Sequence, residues 1–213
     1  MGLLGEVEGK IYSDWQIIDE IPHEARLERY GLDFGYTNDP TAIVAVYYYN
    51  GGYILDEVCY KTGMSNKAIA DLLINLPRAL VVADSAEPKS IDEISSYGLT
   101  VSGAVKGQGS VNFGITVVQE QRISVTTRSV NVIKEYRNFL WQVDINGKAL
   151  NIPEDDYKHA MDAVAYAMVS IAPIKRRIEQ MKGDKKREER ELLKQFDAHR
   201  KRAAQRGWAG LRR

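Results

Sequence analysis

The chain has 213 residues, 44% of them hydrophobic, with 29 Lys+Arg against 29 Asp+Glu, which is enough for one core of ordinary size plus a tail. Its single cysteine, Cys59, excludes an intramolecular disulfide or thiolate metal cluster and reads as packing, and no apolar run approaches the roughly 20 residues of a membrane span. The zero net charge hides a division: residues 174–213 carry 15 basic and 6 acidic residues, whereas residues 1–173 carry 14 basic and 23 acidic, so an acidic body precedes a basic tail.

Residues 1–29 hold no sustained period and lack a charged-then-apolar signal pattern, so a reducing cytoplasm is expected. This stretch reads as a connecting segment at the end of a preceding domain, with a short strand around Trp15, Ile17, Ile18 and Ile21. From Arg29 onward, "RYGLDFG", "TAIVAVYYYN" and "GYILDEVCYK" read as three strands of a meander, with Asn50–Gly52 as a hairpin turn. Ser65 to Leu76 has the apolar spacing of a helix, with Ser65 as N-cap and Pro77 as its stop. "RALVVADS" is a short buried strand. Pro88 to Tyr97 reads as a helix closed by Gly98, and "LTVSGAV" as a further strand. Residues 106–122 read as a loop then a helix, "RISVT" as a strand, and Ser129 to Trp141 as an amphipathic helix. "DINGKALNIP" is a turn with flanking strands, and Asp156 to Ile171 an Ala-rich helix. The tail has helix formers but few apolar residues, and is expected as a solvated helix fraying into disorder. Hairpins followed by strand–helix units predict an α/β fold: a mixed central sheet, antiparallel meander plus parallel strands, with helices on both faces.

The chemistry lies where acids meet apolar elements. Asp33 follows "RYGL", Asp84 ends "ALVVA", and Asp162 sits in "KHAMDAVAYAM" among Ala160, Met161, Val164, Ala165 and Met168. A carboxylate in such surroundings is costly unless it is paired or binds a cation. No Lys or Arg lies between His159 and Ile174 to neutralise Asp162 locally. Taken singly, each acid is more often a capped or ion-paired structural residue, and Asp84 has a bland reading as a turn cap through Ser85. Taken together, two strand acids and one helix acid can converge at a sheet edge and suit hard divalent cations, which take oxygen ligands. Two such ions can clamp the attacking and leaving oxygens of a phosphoryl displacement. His159, three residues before Asp162, shares its helical face and is either a proton carrier or a surface cap. Asp39 reads as a turn residue, Glu87 as a helix-start acid and fourth-ligand candidate, and Lys106 in "KGQGS" as a DNA-phosphate contact or simply part of a flexible turn.

The segments "YGLDFGYTNDPTAIVAVYYYNGGYILDEVCY", "VVADSAEPKSIDEISSYGLTVSGAVKGQGSVNFGI" and "YKHAMDAVAYAMVSI" resemble, in order and spacing, the C-terminal nuclease domain of the large terminase subunit of tailed bacteriophages. The resemblance runs from about Tyr30 to Ile171. It implies an RNase H-like fold and a metal-dependent endonuclease that cuts concatemeric double-stranded DNA during packaging. It places the family's two strand acids on Asp33 and Asp84, its helix acid on Asp162 and its helix-start histidine on His159. Many members carry an arginine three residues after the helix acid, where this chain has Ala165.

The implied organisation is a linker from a preceding ATPase domain over 1–29, a nuclease domain over 30–173 and a basic tail over 174–213. No Walker A sequence occurs, so an isolated nuclease domain without ATP hydrolysis is expected. The resemblance further implies a two-metal site using Mg²⁺ or Mn²⁺. Its implied partners are double-stranded DNA, the ATPase domain of the same full-length protein, the portal and the small terminase subunit, with no membrane, in the host bacterial cytoplasm. Two alternatives stand beside it. One is an actin-like or sugar-kinase ATP-binding module, suggested by "GLDFGYTND"; the other is a catalytically inert RNase H-like scaffold.

Overall fold

A computed structural model describes residues 9–105, 109–145 and 147–171. Strands β2 (Arg26–Asp33), β3 (Thr41–Tyr49) and β4 (Gly52–Lys61) form the expected meander. Asn50 and Gly51 link β3 to β4 with φ of 44° and 78°, the doubly left-handed conformation that matches the twist of paired strands. Helix α1 (Asn66–Ile74) follows, its Ser65 side chain accepting from the Ala68 amide as the sequence predicts. Strand β5 (Leu80–Ala83) leads to helix α2 (Pro88–Ser96), and Gly98, at φ 91°, turns the chain into β6 (Val101–Gly103). Then come α3 (Ser110–Gln119), β7 (Ile123–Thr126) and α4 (Val130–Asn138).

The sheet has seven strands in the order β1-β7-β4-β3-β2-β5-β6, where β1 is Gln16–Ile18. The meander pairs antiparallel, while β5 pairs parallel to β2, β6 to β5, β7 to β4 and β1 to β7. The short strand expected near Trp15 is thus the sheet's outer edge, held by its pairing with β7.

Side chains alternate across this sheet. On one face Tyr30, Leu32, Ile43, Ala45, Val81 and Ala83 pack under Ile69, Ala70 and Leu73 of α1 and Ile94 of α2. The other face receives a last helix, α5, over residues 159–171. It crosses β2 at Gly31, where a Cβ would fall inside the Ala163 carbonyl oxygen. Helix α3 lies against α5 through Gly114, whose added Cβ would sit 3.2 Å from that of Ala165.

Two expected boundaries are corrected. Helix α4 stops at Asn138 rather than Trp141, because Phe139 turns extended, Leu140 bridges to Lys10, and Trp141–Val143 becomes β8. Strand β8 pairs antiparallel with β9 (Ala149–Pro153) as a separate two-stranded sheet. Helix α5 begins at residue 159 rather than 156, since Tyr157 sits at φ 58° and the preceding residues form a turn. Lys106 and the tail 174–213 lie outside the described residues.

The Gly31 contact predicts that Gly31→Ala costs at least about 2 kcal/mol in chemical denaturation, because backbone rather than a yielding side chain stands in the way. Wild-type stability in that variant would mean that α5 does not lie this close to β2.

Candidate active site

Parallel pairing sets the first two acids side by side. Leu32 is in register with Ala83, and the Asp84 amide donates to the Leu32 carbonyl at 3.1 Å. Asp33 and Asp84 therefore leave the C-terminal ends of neighbouring strands, on the same face as Gly31 and Val82. That is the face α5 covers, and Asp162 precedes the residue that touches Gly31. All three acids, with His159, line one cavity of about 400 Å³. Its apolar lining includes Tyr12, Phe34, Ile115, Phe139 and Met161.

The electrostatics are uneven. His159 Nδ1 lies 3.0 Å from Asp33 Oδ2, and its Nε2 is 3.6 Å from Asp39 Oδ1. The hydrogen bond to Asp33 holds the imidazole's pKa above its ordinary value, against the opposing effect of burial. Asp162 is pushed up to about 7, first by burial and then by the charge of Asp33, with Lys158 and His159 only partly offsetting this. Asp84 Oδ1 accepts from the Ala86 amide at 2.8 Å, so the turn-capping role is real and coexists with its place on the cavity. Among the described residues, no group of three His, Cys, Asp or Glu side chains is arranged to enclose a metal ion. The acids rim the cavity.

Some contributors escaped the sequence reading. Glu135, 1% exposed on α4, accepts from the amides of Ala160 at 2.6 Å and Met161 at 3.2 Å. It thereby caps α5 from another element, and its second oxygen accepts from the Tyr60 hydroxyl at 2.7 Å. The signal was available: Glu135 lies beside Tyr136 and three residues after Val132 on a buried helical face, the same anomaly that singled out Asp162. Tyr166, one helical turn after Asp162, lines the cavity, and its hydroxyl hydrogen-bonds to Asp84. Asp39, expected as a turn residue, faces His159, and only the folded loop reveals it. Glu87 lines a different cavity, with Phe34, Asp39 and Glu93, and accepts from Ser90 Oγ at 3.3 Å.

A mixed sheet with acids at the ends of its adjacent central parallel strands, and a third on the helix across them, defines an RNase H-like α/β domain. The model of the terminase RNase H-like domain family matches residues 33–170, and the chain belongs to that family. The large terminase subunit of Bacillus phage SPP1 is 34% identical over 180 residues, covering 77% of this chain and 43% of its own length. The PBSX phage terminase large subunit of Bacillus subtilis strain 168 is 31% identical over 153 residues, covering 66% and 34%. The crystal structure of the SPP1 large terminase nuclease domain with bound Mn matches at a TM-score of 0.64 and 29% identity, covering 75% of this chain and 97% of that one. This chain thus spans less than half the length of the curated relatives it matches.

The raised Asp162 carboxyl has a consequence for stability. The folded chain keeps this proton up to about pH 7, while the unfolded chain releases it near pH 4 (about 3.9 for a free Asp). The acid costs nothing below the lower value and progressively more as the pH rises between the two. Asp162→Asn should therefore stabilise the cation-free protein at pH 8, on the order of a few kcal/mol, and flatten stability between pH 4 and 7. Thermal melts across that range check it, and a variant no more stable than wild type would contradict the burial assigned here.

Proposed function

We propose that this domain is a divalent-metal-dependent endodeoxyribonuclease, cutting concatemeric double-stranded DNA as part of a longer packaging terminase. Asp33, Asp84 and Asp162 are its metal ligands, and Mg²⁺ or Mn²⁺ its ions. What carries the reading is three carboxylates from two strands and a helix around one cavity, one of them resisting ionisation because nothing nearby fully balances it. An all-oxygen donor set without cysteine fits hard cations, and positive charge there would restore the ionised form of Asp162. The Mn held by the SPP1 nuclease domain supports the same choice.

Asp33, Asp84 and Asp162 would hold a pair of such ions, which would supply activation of a water and charge stabilisation of the leaving oxygen. This chain's residues hold and aim. Asp33 and Asp84 are fixed by the sheet, Asp162 by the helix, and Tyr166 orients Asp84. His159, hydrogen-bonded to Asp33, keeps a proton over a wider pH range than a free imidazole and can deliver it to the leaving oxygen. Among the described residues no three of these side chains are already arranged to enclose an ion, and cation affinity in the free domain is expected to be weak. Lys106 is proposed as a phosphate contact. Proposed partners are double-stranded DNA, an ATPase segment of the same full-length protein, the portal and the small terminase subunit, in the host bacterial cytoplasm. Among the described residues no helix is long and apolar enough to cross a membrane.

A plasmid-cleavage assay tests this. Wild type is expected to cut with Mn²⁺ or Mg²⁺ and stop with a chelator. Asp33→Ala, Asp84→Ala and Asp162→Ala should each abolish cutting while still melting cooperatively, and His159→Ala should slow it by about 10²-fold or more. Cutting by Asp33→Ala at the wild-type rate would refute the assignment, and a folded but inactive wild type under all metals would favour an inert scaffold.

A further inference from the structure

The segment before the sheet, expected as a connection with a short strand, carries a residue that lines the cavity. Tyr12 is 1% exposed and lines the cavity that holds Asp33, Asp84 and Asp162. Its ring is held by two others: Trp15 stacks on it at 5.3 Å between centroids, and Phe139 lies at 5.6 Å. The backbone around it is pinned as well, the Ile11 amide donating to the Phe139 carbonyl at 3.0 Å and Gln119 Nε2 to the Ile11 carbonyl at 2.8 Å. Yet among the described residues the Tyr12 hydroxyl has no hydrogen-bond partner.

A buried, unpartnered hydroxyl is costly, and Phe would fill the same space without that cost. Its proton is held more tightly than in a free phenol, by burial and then by the negative charge of Asp162, so the group is a hydrogen-bond donor throughout the working pH range. A buried, unpartnered donor on a residue that lines an acidic cavity suits an oxygen that arrives from outside.

We propose that Tyr12 is a binding residue of this site, its hydroxyl donating to an oxygen brought in with the divalent ion or with DNA. The proposal rests on the metal-nuclease reading above. The shared chemistry is an electron-rich oxygen, and two sources offer it: water in the hydration shell of the ion, or a phosphate oxygen of the DNA backbone. The segment 9–15 thereby completes the cavity, and a domain beginning at β2 would lack this donor.

The test uses the whole 213-residue chain with Tyr12→Phe, which keeps both ring contacts. Three quantities are measured: melting temperature without metal, Mn²⁺ binding by calorimetry, and binding of a short DNA duplex in Ca²⁺. The variant is expected to melt at or above the wild-type temperature, and to bind Mn²⁺ or DNA roughly three- to tenfold more weakly. A loss seen with Mn²⁺ alone assigns the oxygen to hydration water, and a loss confined to DNA assigns it to phosphate. Unchanged binding in both, or a lower melting temperature with unchanged binding, overturns the proposal. Asp162→Asn runs alongside. If it binds Mn²⁺ like wild type, the metal reading falls and Tyr12 with it; if it loses the ion while Tyr12→Phe matches wild type throughout, only the Tyr12 proposal falls.

Discussion

The arrangement of this domain depends on the close approach of α5 to β2, where a glycine on the strand meets the Ala163 carbonyl of the helix. A side chain there would hold the helix away and lift Asp162 and His159 from the strand ends. Contact at backbone distance lets one helix reach two adjacent strands at once, so Asp162 comes over the cavity rimmed by Asp33 and Asp84. Gly114 allows α3 to follow the same helix closely, and the cavity wall closes with Ile115.

The start of α5 is held by carboxylates passed from element to element, a half-buried one on β4 and a buried one on α4. Glu57 of β4 accepts from the amides of Asn131 at 2.8 Å and Val132 at 3.0 Å, capping α4. Helix α4 in turn presents Glu135 to the first amides of α5. Glu135 and Asp162 are thus both acids in apolar surroundings with opposite balances. Glu135 collects two amides and a tyrosine hydroxyl, which pull its pKa back against burial, although it stays above the ordinary value. Asp162 has Asp33 across from it, and its neutral form persists close to neutrality. The two differ in how far their charge is compensated: Glu135 is hydrogen-bonded on both oxygens, whereas Asp162 faces a second acid.

How much of this was legible in the sequence follows from the range of each interaction. The meander, its Asn50–Gly51 turn, the Ser65 cap and the Gly98 stop are local and were readable from composition and period. The anomaly of an acid among apolar residues was readable too, and it led to Asp33, Asp84 and Asp162 lining one cavity. Long-range partners were not. The sequence carries α4 on to Trp141 because "NFLW" looks helical, and only the pairing of Lys10 with Leu140 ends it sooner. Periodicity places the start of α5 at Asp156, whereas its cap is supplied by Glu135, 25 residues upstream of Ala160. The pairing of Asp39 with His159 and the burial of Tyr12 depend on contacts across more than 100 residues, for which one sequence holds no periodic signal.

The ring stack at the N-terminal segment has a mechanical side. Trp15 lies flat on Tyr136 at 4.5 Å with planes 5° apart, its amide donates to the Tyr136 hydroxyl, and Lys10 Nζ sits 3.9 Å above the same ring. Tyr136 is the immediate neighbour of Glu135. Tension applied to the chain upstream of residue 9 would therefore be delivered first to residues 139–141, through Gly9, Lys10 and Ile11, and then to α4 through Trp15 and Tyr136, rather than to the strands that carry Asp33 and Asp84.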